Sequence, residues 1–83
     1  MPLELGVKLF ASVREAMGRD AITVELEDGA CVADLLDALA ARHPEISAQR
    51  AALSVAVNHE FARPDRRLAA GDEVALIPPV GGG

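Results

Sequence analysis

Residues 73–83 read Glu-Val-Ala-Leu-Ile-Pro-Pro-Val-Gly-Gly-Gly, and this stretch organises the rest of the chain. Residues 73–77 predict a strand that is apolar on both faces, which is typical of a central sheet position or of a face kept for a partner. The two prolines that follow cannot extend sheet pairing, because they lack a backbone N–H. The glycines give a narrow, unhindered end. We therefore expect residues 1–77 to form one domain and residues 78–83 to form a flexible tail.

A second apolar strand lies near the start of the sequence. Residues 3–11 alternate, with Leu5, Val7 and Leu9 on one face and polar residues mostly on the other. The two most apolar strands are the natural centre of a sheet. They can pair in parallel, because the helix between them supplies the long crossover that parallel strands need.

One main helix is predicted between these strands. Val32, Leu35, Leu36 and Leu39 follow the i, i+3, i+4, i+7 spacing of an amphipathic helix, and Cys31 stands at its N-cap. A short helix is predicted over 12–17, with a Ser-x-x-Glu capping box and a Gly18 C-cap. A further helical piece is predicted over 44–52. The remaining predicted elements are strands over 22–26 and 53–57, an Asn58-His59 turn and a short strand around 61–63. The fold class is α+β: a mixed sheet of about five strands with the main helix packed on one face.

Charge and composition exclude some functions. The chain has 83 residues, a net charge of −5 and two Phe with no Tyr or Trp. This balance repels phosphate backbones and offers almost no base-stacking surface, so we expect no nucleic-acid partner. There is no leader or membrane-spanning pattern, which predicts a cytoplasmic protein without a membrane role.

Few side chains are arranged for chemistry. Cys31 is the only cysteine, and a packed or capping role is favoured over a sulfur relay. His43 and His59 are separated, so no metal site is expected. The carboxylates form no recognisable acid–base pair, and we expect no catalytic machinery within this chain.

The whole chain resembles one protein family. The resemblance lies in the order of elements, the opening residues 7–15, the Gly71-Asp72-Glu73-Val74 turn and the Pro-Pro-Val-x-Gly-Gly end. This family is the ubiquitin-like β-grasp sulfur carriers of the MoaD/ThiS type, which include the small subunit of molybdopterin synthase. The resemblance implies a carrier without catalytic residues or a bound cofactor. Catalytic residues would then belong to a large subunit, within a heterotetramer.

The resemblance also implies a role for the tail. An adenylyltransferase of the ubiquitin-activating type would use ATP to adenylate the Gly83 carboxylate, and a sulfurtransferase would convert it to a thiocarboxylate. The large subunit would then use this sulfur on cyclic pyranopterin monophosphate, in molybdenum cofactor biosynthesis. The residues expected to insert into that partner are Pro78, Pro79, Val80, Gly81 and Gly82.

The expected partner surface comprises Phe10, Phe61, Leu76 and Ile77. For Phe61 and Leu76, a place in the core is an equal alternative. Leu76-Ile77 replaces an aromatic pair common in the family, and Gly81 stands where relatives often have Ser, Thr or Ala. Cys31 stands where a Ser or Thr cap is usual.

Three other functions stay open. The chain could carry sulfur for thiamine, cysteine or tRNA thiolation, although the Pro-Pro-Val sequence and the length favour molybdopterin. It could be a ubiquitin-like modifier joined to lysines of target proteins. It could also be a β-grasp interaction domain whose tail has no chemistry.

Overall fold

The computed structural model describes residues 2–79, which form five strands and three α-helices. In chain order the elements are β1 (Leu3–Leu9), α1 (Ala11–Met17), β2 (Ala21–Leu26), α2 (Val32–Arg42), α3 (Pro44–Gln49) followed by a 3-10 turn (Arg50–Ala52), β3 (Ser54–Val57), β4 (Glu60–Phe61) and β5 (Val74–Ile77). Within this range, the helices are too short or too polar to cross a membrane.

The strands form one mixed sheet in the order β2-β1-β5-β3-β4. β1 and β5 run in parallel, with Val7 opposite Val74 and Leu9 opposite Leu76. β5 pairs with β3 in antiparallel fashion on its other side. The predicted α+β class, the mixed sheet and the parallel pairing of the first and last strands are therefore confirmed.

The core lies between one face of the sheet and the helices. Alternate residues of β1 and β2 point into it, as the period of two requires. The main helix buries Val32, Leu35 and Leu39, which belong to the predicted stripe, while Leu36 is half-buried. α3 adds Ile46, and the predicted break at His43-Pro44 separates it from α2.

Leu76 belongs to this core, and its assignment to the partner surface is wrong. Its side chain is 0% exposed, and its neighbours across the sheet are Leu9 and Val55. Alternation along β5 directs Val74 and Leu76 inward and leaves Ala75 and Ile77 half-buried on the other face. A partner therefore cannot touch Leu76 without opening the sheet.

The start of α1 also differs from the prediction. The helix begins at Ala11, and no side chain caps it at Phe10. The Ser12 hydroxyl instead donates to Gln49 Oε1 at 2.8 Å, so the predicted capping box is wrong. Gly18 ends the helix in the left-handed conformation, as predicted, with φ of 68°.

The second hairpin begins earlier than predicted. Because Asn58-His59 forms a two-residue turn, pairing resumes at once between Val57 and Glu60, and β4 ends at Phe61. The strand expected around 61–63 is thus shifted toward the turn. The hairpin itself is confirmed.

Candidate functional site

The tail leaves the sheet from its best-supported strand. β5 is paired on both sides, and Pro78, which directly follows it, is buried while Pro79 is exposed. A chain that leaves such a strand has a fixed starting point and direction. The predicted tail residues Val80, Gly81, Gly82 and Gly83 lie outside the described residues.

A groove lies beside this exit, on the sheet face opposite the helices. Lys8, Ala75, Ala56 and Phe61 stand next to one another across four adjacent strands. Because the side chains of Ala56 and Ala75 are small, they form a floor between the larger side chains of Lys8 and Phe61, and the surface is concave. We call this surface the outer groove; it measures about 250 Å³ and is lined by Lys8, Phe10, Ala56, His59, Phe61, Glu73, Val74, Ala75 and Ile77.

Both phenylalanines of the chain line the outer groove. The side chain of Phe10 is 44% exposed and that of Phe61 is 74% exposed. Ile77, which directly precedes the prolines, contributes a third apolar wall. Exposed aromatic residues around a concave apolar surface are typical of protein docking sites. The structure thus brings together three of the four residues predicted for the partner surface.

Charged groups stand on one rim of the outer groove. Glu73 Oε2 lies 3.7 Å from Lys8 Nζ and 3.5 Å from His59 Nε2. All three side chains are more than half exposed. Exposed pairs of this kind add little to stability, so the cluster is better suited to contacts with a partner than to holding the fold.

A hydrogen-bond network fixes the segment that enters β5. The Asn58 N–H donates to the Glu73 carbonyl at 2.8 Å, and the Glu73 N–H donates to Asn58 Oδ1 at 3.0 Å. Asn58 Nδ2 donates to Asp72 Oδ1 at 3.0 Å, while the Ala69 N–H donates to Asp72 Oδ2 at 2.8 Å. The hydrogen bonds from Ala69 and Asn58 lower the pKa of Asp72, and the bond from Ala69 has the larger effect.

Sequence reasoning missed this network. The Asn58-His59 turn and the Gly71-Asp72 turn were each identified, but nothing in the sequence indicated that they touch. The contact arises because β3 and β5 are neighbours, with Val57 opposite Val74. The Asn58-His59 turn after β3 therefore lies beside the Gly71-Asp72 turn before β5.

Cys31 caps α2 and does not form part of the outer groove. Its N–H donates to Asp34 Oδ2 at 2.9 Å, and its Sγ lies 3.4 Å from the same oxygen. These contacts lower the pKa of Asp34, the backbone hydrogen bond having the larger effect. Among residues 2–79, no group of three or more His, Cys, Asp and Glu side chains is placed to hold a metal ion.

Comparison with known proteins gives full-length matches. The model of the ThiS family matches residues 7–83. The molybdopterin synthase sulfur carrier subunit of Chlamydomonas reinhardtii is 41% identical over 83 residues, which cover 98% of this chain and 100% of that protein. Small archaeal modifier protein 1 of Haloferax volcanii is 38% identical over 84 residues, which cover 92% of this chain and 97% of that protein.

A crystal structure of the Haloferax volcanii protein has the same fold. It superimposes with a TM-score of 0.82 at 36% identity, and the alignment covers 96% of this chain and 99% of that one. The ubiquitin-like β-grasp fold implied by the sequence is therefore confirmed. The chain belongs to the ThiS family, as a small sulfur carrier of the MoaD/ThiS type.

Proposed function

We propose that this chain is the sulfur-carrier subunit of a molybdopterin synthase. The α-carboxylate of Gly83 is adenylated, converted to a thiocarboxylate, and used as the sulfur donor to cyclic pyranopterin monophosphate in the active site of a large subunit. The observation that carries the proposal is the full-length similarity to a molybdopterin synthase sulfur carrier subunit. We place this chemistry in the cytoplasm, where ATP is available.

The geometry of β5 supports this use of the tail. The strand is held by β1 and β3, so the residues after Ile77 start from a rigid base. Six extended residues, 78–83, span at most about 20 Å, which is enough to enter a buried site in a partner. The prolines stiffen the first part of this arm and prevent it from adding to the sheet.

The chemistry requires little from the carrier itself. An activating enzyme forms the acyl-adenylate from the carboxylate and ATP, and pyrophosphate leaves. The persulfide of a sulfurtransferase then attacks the acyl carbon and AMP leaves, which gives an acyl disulfide with that enzyme. A second thiol cleaves the S–S bond, so that the thiocarboxylate stays on Gly83 and a disulfide is left on the sulfurtransferase. Docking holds this sulfur at high effective concentration beside the substrate. We assign the groups that move protons to the partners.

Intact-mass measurement tests the carrier function. The chain is expressed with an activating enzyme and a sulfur donor, and its mass should increase by the exchange of one oxygen for one sulfur. The variant that lacks Gly81, Gly82 and Gly83 serves as the control and should not change. An unmodified wild-type chain beside a competent activating enzyme would contradict the proposal.

Reconstitution tests the pathway. The thiocarboxylate form is mixed with a molybdopterin synthase large subunit and cyclic pyranopterin monophosphate, and the dithiolene product is measured. A complex that yields product supports the proposal. A thiocarboxylate that forms no complex and no product points instead to thiamine, cysteine or tRNA thiolation.

A second candidate function is protein modification. The observation that favours it is the 38% identity to small archaeal modifier protein 1. In this case the activated Gly83 carboxylate is attacked by lysine amines of target proteins. Covalent conjugates that disappear on deletion of Gly81, Gly82 and Gly83 would support this function, and their absence beside efficient thiocarboxylate formation would exclude it.

A further inference from the structure

His59 occupies a backbone position that glycine would fill with less strain. Asn58 and His59 form the two-residue β3–β4 turn, with φ of 53° and 71°. Turns of this kind need positive φ at both positions, and Asn followed by Gly is the preferred pair. Asn58 fits this preference and is held by its side-chain hydrogen bonds. His59 departs from this preference, so the turn carries a small local conformational cost at this position.

The fold gains little from the imidazole. The His59 side chain is 83% exposed, and its Nε2 lies 3.5 Å from Glu73 Oε2. An exposed pair of this length contributes little to stability, because water and salt screen it. A strained residue whose side chain does not support the fold indicates a function for that side chain.

The outer groove gives the imidazole a place to act. His59 lines this groove together with Phe10 and Phe61. Three of the four aromatic rings in the chain, counting Phe and His, therefore lie around one concave surface, whose floor is formed by Ala56 and Ala75. From the rim, the imidazole can contact a partner segment that lies on this floor.

The position of the tail identifies the occupant of the groove. Ile77 lines the outer groove and directly precedes the residues 78–83. A partner whose active site takes Gly83 lies within about 20 Å of Ile77, because six extended residues reach no further. We take the surface of that partner around its active-site entrance as the occupant of the groove, because Ile77 lines the groove and also leads into the tail.

We infer that His59 is a partner-contacting residue, which packs on an apolar segment of the large subunit seated over Ala56 and Ala75. This inference rests on the proposed function and assigns a residue that selects the partner. His59 acts in docking and takes no part in bond making or breaking.

The test is the variant His59→Gly, studied as the full chain. Relief of the positive φ should leave the urea midpoint of unfolding unchanged or higher. The Kd for the molybdopterin synthase large subunit, measured by calorimetry, should rise about tenfold, as for the loss of one important contact. His59→Asn, which also tolerates the turn, should show the same loss of affinity. The matched control is His43→Asn, at the other histidine, which should leave Kd unchanged.

The outcomes separate this inference from the proposed function. If the wild-type chain binds the large subunit and His59→Gly binds it within twofold, the inference is wrong and the proposed function stands. If both His59 variants unfold at lower urea, the imidazole supports the fold and the argument from strain is wrong. If the wild-type chain does not bind the large subunit, the proposed function and this inference are overturned together.

Discussion

The side-chain amide of Asn58 and the carboxylate of Asp72 form a hydrogen bond of 3.0 Å across two turns that are distant in the sequence. The bond ties the end of β3 to the segment that enters β5, and it therefore fixes the rim of the outer groove that carries His59 and Glu73. Because Pro78 follows the far end of β5, the same contact helps to fix the strand that leads into the predicted tail.

Replacement of Asp72 by Asn should lower stability in a pH-dependent way. Hydrogen bonds from Ala69 and Asn58 hold the pKa of Asp72 below its ordinary value. The folded carboxylate therefore adds stability above its unfolded pKa of about 3.9, and this contribution is lost as pH falls through the lower folded pKa. We expect Asp72→Asn to be less stable by about 1 kcal/mol at pH 7, and the difference to shrink below about pH 4.

Urea unfolding at pH 7 and pH 3 measures this effect. Asp65→Asn changes an exposed carboxylate in a neighbouring turn and should alter stability little at either pH. A difference between wild type and Asp72→Asn that stays constant from pH 7 to pH 3 would contradict the assignment to the carboxylate.

Replacement of Phe61 by Ala should weaken docking without harming the fold. The side chain is 74% exposed, so its removal should change the free energy of unfolding by less than about 0.5 kcal/mol. Its loss from the outer groove should raise the Kd for the large subunit by about tenfold. Calorimetric titration and urea unfolding, carried out on the same preparation, measure both quantities.

Leu76→Ala gives the opposite result and serves as the contrast. Leu76 is fully buried between the central strands, and its truncation should cost about 2–5 kcal/mol of stability. A Phe61 variant that loses comparable stability would show that this ring belongs to the core after all.

Replacement of Cys31 by Ser should stabilise the protein. A hydroxyl is a better N-cap group than a thiol, and the hydrogen bond from the residue 31 N–H to Asp34 is kept. We expect a gain of about 0.5 kcal/mol, measured by urea unfolding, and unchanged thiocarboxylate formation. Loss of sulfur loading in a folded Cys31→Ser chain would instead show that the thiol relays sulfur.

Replacement of Gly82 by Ala should slow activation more than it affects folding. Under the proposed function the arm enters an activating enzyme, and a methyl group would widen it there, so we expect the rate of thiocarboxylate formation to fall at least about tenfold. Intact mass measured over time gives this rate. Gly6→Ala is a suitable control, because β1 has open space for a methyl group at Gly6. Equal rates for both variants would show that the bare end is not required.

The general architecture could be predicted because its main elements have local sequence patterns. Residues 74–77 are apolar on both faces, which is typical of a central strand or of a face kept for a partner, and β5 is central. The spacing of Val32, Leu35 and Leu39 matches the period of a helix and identifies its buried stripe.

The details that failed depend on contacts between distant residues. Four consecutive apolar residues do not show which face is inward, and only pairing with Leu9 and Val55 places Leu76 in the core. The capping-box pattern at Ser12 is real in the sequence, but Gln49, far along the chain, captures the hydroxyl. The strain at His59 is likewise visible only once the length of the turn is known.

The position of β5 between β1 and β3 also has a consequence for biosynthesis. Without β5 the sheet would consist of two separate strand pairs, β1–β2 and β3–β4, because β5 is the strand that pairs with both in the described residues. The ribosome synthesises β5 after all the other elements. The five-stranded sheet can therefore form only once the residues of β5 have emerged. The strand that joins the two halves of the sheet is also the one that leads into the predicted tail. Under the proposed function, the group that carries sulfur is therefore synthesised after every element of the fold.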